Sequence, residues 1–229
     1  MLKQNLEQIF SVIGGGNNLG EKITLVGASK TMPVETINQA IALGLKVVAE
    51  NRVQEFNAKH GLIQGAEEQF IGHLQTNKVK YLVGKVSLIQ SVDSIHLAEE
   101  INRQALKKGV VQEILVEVNV GGELSKSGFN PNNAEDCTKF IKENLLGVKV
   151  VGLMAMLPRS EDNGYLASLT RKMRSLYDLL KDKGFEFKHL SVGMSGDYKI
   201  AIQNGSNMIR LGRTIFGERK KEEKDNGCI

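Results

Sequence analysis

Short runs of apolar residues, many of them β-branched, alternate along the chain with longer segments in which apolar residues recur at helical spacing. The runs that we predict as strands cover residues 23–28, 46–49, 69–72, 88–91, 113–119, 149–155, 189–192 and 208–211. Several of them, such as ILVEVNV and VKVVGLMAM, are almost continuously apolar. Runs of this kind are typical of strands that are covered on both faces, as in parallel sheets.

The segments between these runs predict helices. Pro33 and Pro131 each stand where a helix would begin, and the longest helical segment covers residues 163–183. Eight alternations of strand and helix in about 200 residues predict a single (β/α)8 TIM-type barrel, an α/β fold. Residues 1–20 predict an extra N-terminal helix and loop. A doubly wound open sheet is the alternative interpretation of the same alternation.

Composition narrows the class of protein further. A chain of 229 residues without a composition break predicts one barrel domain over residues 1–229, with residues 219–229 as a frayed, charged tail. The net charge of +4 is spread over interspersed signs, so we expect no nucleic-acid partner. The longest apolar run, residues 145–157, is interrupted by Lys149 and predicts no membrane span. Two distant cysteines and scattered histidines predict no metal site and a reducing, cytoplasmic setting.

Candidate chemistry lies where the last two predicted strands end. The loop after residues 189–192 carries Ser195 between glycines, with Asp197 placed to cap a helix, and the loop after residues 208–211 carries Gly212 and Arg213 at another helix start. Helix N-termini present N–H groups to anions, and barrels frequently bind phosphate with these two loops. The pattern therefore favours a phosphate site. Two capped turns that bind nothing would have the same sequence pattern and are the alternative.

Lys30 follows the first predicted strand. A lysine at this place is often only a solvated strand end. In a closed barrel, however, the first and last strands are neighbours, which would bring Lys30 and Arg210 close to the phosphate loops. An amine held near a bound phosphate is the arrangement required for a Schiff base with a phosphorylated aldehyde, and pyridoxal 5′-phosphate (PLP) is the obvious candidate.

Seven ordered segments then carry a family resemblance. They are LVGASKTMP, AENRVQEF, FIGHLQTNKVK, SVDS, VEVNVGGELSKSGF, GLMAM and SVGMSGDYKIAIQNGSNMIRLGRTIFGER. Together they resemble the YggS/PROSC family of PLP-binding homeostasis proteins over nearly the whole chain. The resemblance implies a single barrel similar to the N-terminal domain of alanine racemase, and PLP as the cofactor.

The resemblance also implies a set of cofactor-binding residues, none of which is catalytic. Lys30 matches the lysine that forms the internal aldimine, and Arg210 matches the arginine that faces the pyridine nitrogen. The positions that match residues lining the ring or binding phosphate are Asn51, Ser195, Gly212 and Arg213.

The chain departs from the family pattern at a few positions. Ala49 stands where the family usually has glycine, and Met32 where a polar residue is frequent. Arg213 stands where the family often has threonine in the loop after residues 208–211. A backbone contact to phosphate survives any side chain, and the Arg213 guanidinium could add a charge-assisted one. Lys126 matches a family lysine away from the main site, for which a secondary role in holding or passing on PLP and a plain solvated lysine both remain open.

Arg210, the predicted partner of the ring nitrogen, bears on which PLP-dependent reactions we expect. An arginine donates to the nitrogen and accepts nothing from it, so the ring should be a weak electron sink, which disfavours transamination and decarboxylation. Racemisation tolerates such an arginine, but racemases of this type take a second base from another domain, and we expect no room for one here. None of the tyrosines stands at an obvious strand end.

We therefore predict a monomeric carrier that holds PLP and passes it to apo PLP-dependent enzymes or to amines, and that is not an enzyme. The alternatives are a PLP-dependent amino-acid racemase and a barrel enzyme acting on a phosphorylated sugar. A third alternative is a structural or interaction module, which would bind neither PLP nor phosphate.

Overall fold

The computed structural model describes residues 1–218. The strands are β1 (Thr24–Ala28), β2 (Val47–Glu50), β3 (Glu67–Phe70), β4 (Leu88–Val92), β5 (Gln112–Glu117), β6 (Val148–Ala155), β7 (His189–Val192) and β8 (Met208–Leu211). The α-helices are α1 (Leu2–Ile13), α2 (Val34–Ala42), α3 (Val53–Lys59), α4 (Ile95–Lys108), α5 (Ala134–Asn144), α6 (Asn163–Asp182), α7 (Tyr198–Gln203) and α8 (Arg213–Phe216). A 3-10 helix, Thr76–Tyr81, connects β3 to β4.

The eight strands form a closed parallel barrel in sequence order, which confirms the (β/α)8 prediction and rules out the open sheet. Closure is made by β1 and β8, in which Val26 pairs with Arg210 and Gly27 with Leu211. The predicted N-terminal helix is present as α1. Because all strands point the same way, every loop that follows a strand lies at one end of the barrel, and the predicted site residues of these loops therefore share that end.

Two predicted boundaries were wrong. The third strand begins two residues earlier than predicted and covers Glu67–Phe70, because these residues pair with Val47–Glu50 of β2. Pro131 does not open α5, which begins at Ala134. The residues before α5 form a turn in which the side chain of Asn130 accepts the N–H of Asn132 at 2.9 Å. An asparagine side chain that bonds to backbone two residues onward stabilises a turn in place of a helical start.

The barrel interior holds a compact apolar cluster. Its buried members come from six different strands, which places them inside the barrel: Val26, Val47, Ala49, Leu88, Leu115, Val151, Met154 and Met208. Two larger clusters pack the outer face of the barrel against the helices, including Leu6 and Ile9 of α1. The apolar run at residues 145–157, the best membrane candidate of the sequence, supplies β6.

No helix within residues 1–218 is long and apolar enough to cross a membrane. The predicted charged tail, residues 219–229, lies outside the described residues.

Candidate functional site

Lys30 lies where the barrel closes. It follows β1 by two residues and is half-buried. Ala28, the last residue of β1, lies against Gly212 after β8: a Cβ placed on Gly212 would come 3.4 Å from the Ala28 backbone oxygen. The structure therefore brings Lys30 and the last loop to the same edge, as the neighbouring strands of a barrel require.

The two predicted phosphate loops are joined to each other. The Ser195 hydroxyl, after β7, accepts a hydrogen bond from the N–H of Thr214, after β8, at 3.4 Å. Gly212 occupies the N-cap position of α8, and Arg213 is exposed in the first turn. Because the first N–H groups of a helix have no partner within it, this turn and the Ser195 hydroxyl together form a cradle for an anion.

Asp197 has a different role from the predicted one. It stands at the N-cap position of α7, but its side chain makes no capping hydrogen bond. The carboxylate instead accepts the N–H of Met194 at 2.5 Å, which folds the loop around Ser195. Burial raises the pKa of this carboxyl, and the hydrogen bond from Met194 and the charge of Arg210 oppose the rise.

Arg210 is buried and points into the barrel. Its Nη1 donates to the backbone oxygen and the hydroxyl of Ser191 at 2.8 and 2.6 Å, and its Nη2 donates to the backbone oxygen of Ala155 at 2.9 Å. Burial lowers the pKa of the guanidinium to about 10, against the attraction of Glu117 and Asp197. This pKa is below the value expected from the sequence, yet it leaves Arg210 charged at neutral pH.

A chain of buried polar groups continues from Arg210 across the barrel. The Ser191 hydroxyl donates to Gln90 Oε1 at 2.7 Å, and Gln90 Nε2 donates to Gln69 Oε1 at 2.6 Å. The three side chains belong to β7, β4 and β3 and are at most 3% exposed. This polar chain, Arg210–Ser191–Gln90–Gln69, fixes the orientation of the guanidinium. Sequence analysis missed its last three members because a polar residue in a short apolar strand does not show which way it points.

Glu117 is a second group that the sequence did not reveal. It ends β5 and is 4% exposed. Burial raises the pKa of its carboxyl to about 7, with Asp93 adding to the rise while Arg210 and His73 oppose it. A buried carboxyl that titrates near neutral pH in the same barrel end is a candidate proton donor or acceptor. A glutamate inside the almost continuously apolar strand predicted over residues 113–119 was the only available signal.

Asn51 supplies an independent sign that a ligand belongs here. Its side-chain oxygen is buried and has no hydrogen-bond partner within residues 1–218. Its backbone is fixed against the loop after β3, since a Cβ on Gly72 would lie 2.1 Å from the Asn51 backbone oxygen. A buried acceptor without a donor is costly, and the phenolic hydroxyl of a PLP ring would satisfy it. Together with the amine of Lys30 and the anion cradle, these residues fit PLP.

The positions that depart from the family pattern leave this arrangement intact. Ala49 is buried in the interior cluster, and Met32 packs partly buried against the outer core. Lys126 is tied down by an ion pair with Glu123 and by a hydrogen bond of 3.1 Å to the backbone oxygen of Leu157. Within the described residues, no group of three or more metal-ligating side chains lies together.

Solved structures support the fold. PipY of Synechococcus elongatus, in a structure titled as having PLP bound, superposes with a TM-score of 0.83 at 28% identity, covering 95% of this chain and 100% of that chain. Alanine racemase of Clostridium difficile superposes with a TM-score of 0.73 at 18% identity, covering 96% of this chain but only 57% of the racemase. The likeness to the racemase shows a shared fold alone.

Sequence comparison identifies the family. The family model described as the alanine racemase N-terminal domain matches residues 17–220. A protein of Aquifex aeolicus named pyridoxal phosphate homeostasis protein is 46% identical over 220 residues, covering 95% of each chain. The chain therefore belongs to the alanine racemase N-terminal domain family and, within it, to the pyridoxal phosphate homeostasis proteins.

Proposed function

We propose that this protein binds PLP at the carboxyl end of its barrel and takes part in PLP homeostasis in the cytoplasm. The observation that carries the proposal is the pairing of β1 with β8, because β1 leads into Lys30 and β8 leads into the turn whose Thr214 N–H bonds to Ser195. The homeostasis protein of Aquifex aeolicus and the PLP-bound PipY structure support the same assignment.

The residues divide the binding between them. Ser195 and the N–H groups at Gly212 and Arg213 would hold the phosphate, and the amine of Lys30 would bind the aldehyde. When bound, PLP supplies that aldehyde and a ring that withdraws electrons. Asn51 would accept a hydrogen bond from the phenolic hydroxyl of the ring, and the charged Arg210 would face the ring nitrogen.

We propose further that the protein is a carrier and not an enzyme. Arg210 presents only donors, so it disfavours a protonated ring nitrogen and weakens the electron sink that transamination and decarboxylation need. Release to apo-enzymes or free amines requires only exchange of the imine at Lys30. The cradle then sets how tightly PLP stays bound, and the protein acts as a monomer.

A PLP-dependent racemase is the second candidate, because Glu117 favours it. A buried carboxyl with a pKa of about 7 is suited to move a proton at neutral pH. Tyr198, in the first turn of α7, is unsuited to this role because its side chain packs in the core and is 8% exposed.

The deciding experiment is a visible spectrum followed by borohydride reduction and peptide mass spectrometry. We expect a yellow protein with a pyridoxyl mass on Lys30, and a Lys30→Ala variant that binds PLP weakly without the adduct. A protein that stays colourless with added PLP would overturn the assignment and favour the sugar-phosphate enzyme. Sustained racemisation of alanine or another amino acid, lost in Lys30→Ala, would overturn the carrier proposal.

A further inference from the structure

A cluster of charged residues lies directly behind Lys30, on the side of the barrel covered by α3. Lys59 Nζ lies 2.7 Å from Glu50 Oε1 and 3.2 Å from Glu55 Oε2. The same ammonium donates to the backbone oxygen of Ser29 at 3.1 Å. The side chains of Lys59 and Glu50 are only 13% and 6% exposed. All three donors of the ammonium therefore have acceptors.

The cluster holds the backbone on both sides of Lys30. Before it, Ser29 is held through its backbone oxygen and through its hydroxyl, which donates to Glu50 Oε1 at 2.8 Å. After it, the N–H of Thr31 donates to Glu55 Oε2 at 2.7 Å. Lys30 is thus the middle residue of a segment whose two neighbours are tied to the same ion cluster.

Thr31 shows that this segment is constrained. It is the one non-glycine residue within residues 1–218 that has a positive φ, at +65°. A β-branched side chain is disfavoured in this left-handed conformation, so the conformation persists only where the surroundings impose it. Two hydrogen bonds hold this conformation: the N–H of Thr31 donates to Glu55, and the N–H of Met32 donates to the Ser29 backbone oxygen at 3.0 Å, which closes a turn around Lys30 and Thr31.

We propose that Lys59, acting through Glu50 and Glu55, positions Lys30 for covalent capture of the PLP aldehyde. This inference rests on the proposed role of Lys30. A buried ion pair is weak evidence of added stability. The cluster, however, makes two hydrogen bonds to the backbone beside Lys30 and one to the Ser29 hydroxyl, and together these hold the segment that carries Lys30. Lys59 does not touch PLP and is a positioning residue.

The step that benefits is imine formation. The neutral amine of Lys30 adds its lone pair to the aldehyde carbon and forms a C–N bond. Its two N–H protons pass to the former aldehyde oxygen, the C–O bond breaks, and one water leaves as the C=N bond is completed. The rate depends on holding amine and carbon in the right geometry, which a fixed backbone at Lys30 provides.

A Lys59→Met variant tests the inference, because it removes the ammonium but keeps an unbranched side chain. Two quantities are measured: the rate of imine formation with PLP, by stopped-flow absorbance, and the affinity for pyridoxine 5′-phosphate, which has an alcohol in place of the aldehyde. We expect the rate to fall about tenfold or more while the alcohol analogue binds within about twofold of wild type. Restoring the cation as Lys59→Arg should recover part of the rate.

Arg174→Met is the matched control. Arg174 is similarly buried, at 15% exposed, and forms an ion pair with Glu21 at 2.6 Å. That pair lies at the opposite end of the barrel, before β1 begins. We expect neither measurement to change in Arg174→Met.

The outcomes separate this inference from the proposed function. A wild-type protein without a borohydride-trapped adduct on Lys30 overturns both. A wild-type adduct with an unchanged rate in Lys59→Met overturns the positioning role alone, as does an equal loss for PLP and the alcohol analogue. If Lys59→Met does not fold, Glu55→Ala is tested in its place, because Glu55 is more exposed than Lys59 and its carboxylate accepts the Thr31 N–H. A loss of less than about threefold in the rate of imine formation in Glu55→Ala overturns the inference.

Discussion

Replacing Ser191 by alanine tests the polar chain inside the barrel. The change deletes a hydroxyl that accepts from Arg210 at 2.6 Å and donates to Gln90 at 2.7 Å. Arg210 Nη1 keeps its hydrogen bond to the Ser191 backbone oxygen, but Gln90, which is 0% exposed, loses the donor to its Oε1. A lost bond to a charged group and a newly orphaned buried acceptor together cost about 2–4 kcal/mol. This is a large part of the roughly 5–15 kcal/mol that stabilises a domain.

The measurement is equilibrium unfolding in urea, followed by circular dichroism. We expect a lower midpoint with an unchanged m value, since the barrel buries the same surface. Ser87→Ala, which removes an exposed hydroxyl, should change the free energy of unfolding by less than about 0.5 kcal/mol. Ser191→Ala should cost less in a Gln90→Met background, because the orphaned acceptor is then gone. A loss below about 0.5 kcal/mol in the wild-type background would refute the polar chain as a structural unit.

Three further predictions concern the same end of the barrel. In the folded protein Glu117 has a pKa of about 7, compared with 4.5 for an unfolded glutamate. Between these two pH values the folded protein keeps the proton and the unfolded chain has lost it. The free energy of unfolding should therefore fall by up to about 3 kcal/mol as pH rises from about 4.5 to about 7. Urea unfolding at a series of pH values should show this fall in the wild type, and the contribution of residue 117 should be absent in Glu117→Gln. Gly193→Ala should destabilise the loop that follows β7, because Gly193 has φ +110° and a Cβ would lie 2.9 Å from Ala201, and calorimetry should then show weaker phosphate binding. Gly196→Ala is the control, because a Cβ there meets nothing within 4 Å, and it should bind phosphate as the wild type does. Arg210→Glu should weaken PLP binding or shift the visible spectrum, and an unchanged titration would contradict its proposed place at the ring nitrogen.

The barrel could be predicted from the sequence because its strands are short, almost wholly apolar and separated by helical segments. The predictions were wrong where a polar side chain bonds to a nearby backbone group that the hydrophobic pattern does not reveal. Asn130 forms a turn with the backbone ahead of α5, and Asp197 bonds to Met194 in place of capping α7. A single sequence shows that such residues favour caps and turns, but it does not show which backbone group each one reaches.

The sequence predicted only those site residues that directly follow a strand. Lys30, Ser195 and Gly212 each follow a strand, so barrel topology alone placed them at one edge. The residues that fix Lys30 escaped notice for the opposite reason. Lys59 stands at the far end of α3, and only the return of that helix onto β2 brings its ammonium to Glu50 and to the backbone beside Lys30.

The surroundings of Arg210 bear on which class of PLP chemistry the site favours. Its hydrogen bonds go to neutral acceptors, two on Ser191 and one on Ala155, and no carboxylate within residues 1–218 forms an ion pair with it. Glu117 and Asp197 act on it only from a distance. Its positive charge therefore remains largely uncompensated inside the barrel, where the low dielectric strengthens its field. Because such a field opposes a second positive charge, a ring placed against Arg210 would resist protonation, which disfavours transamination and decarboxylation and leaves racemisation to be decided by the turnover assay with Lys30→Ala.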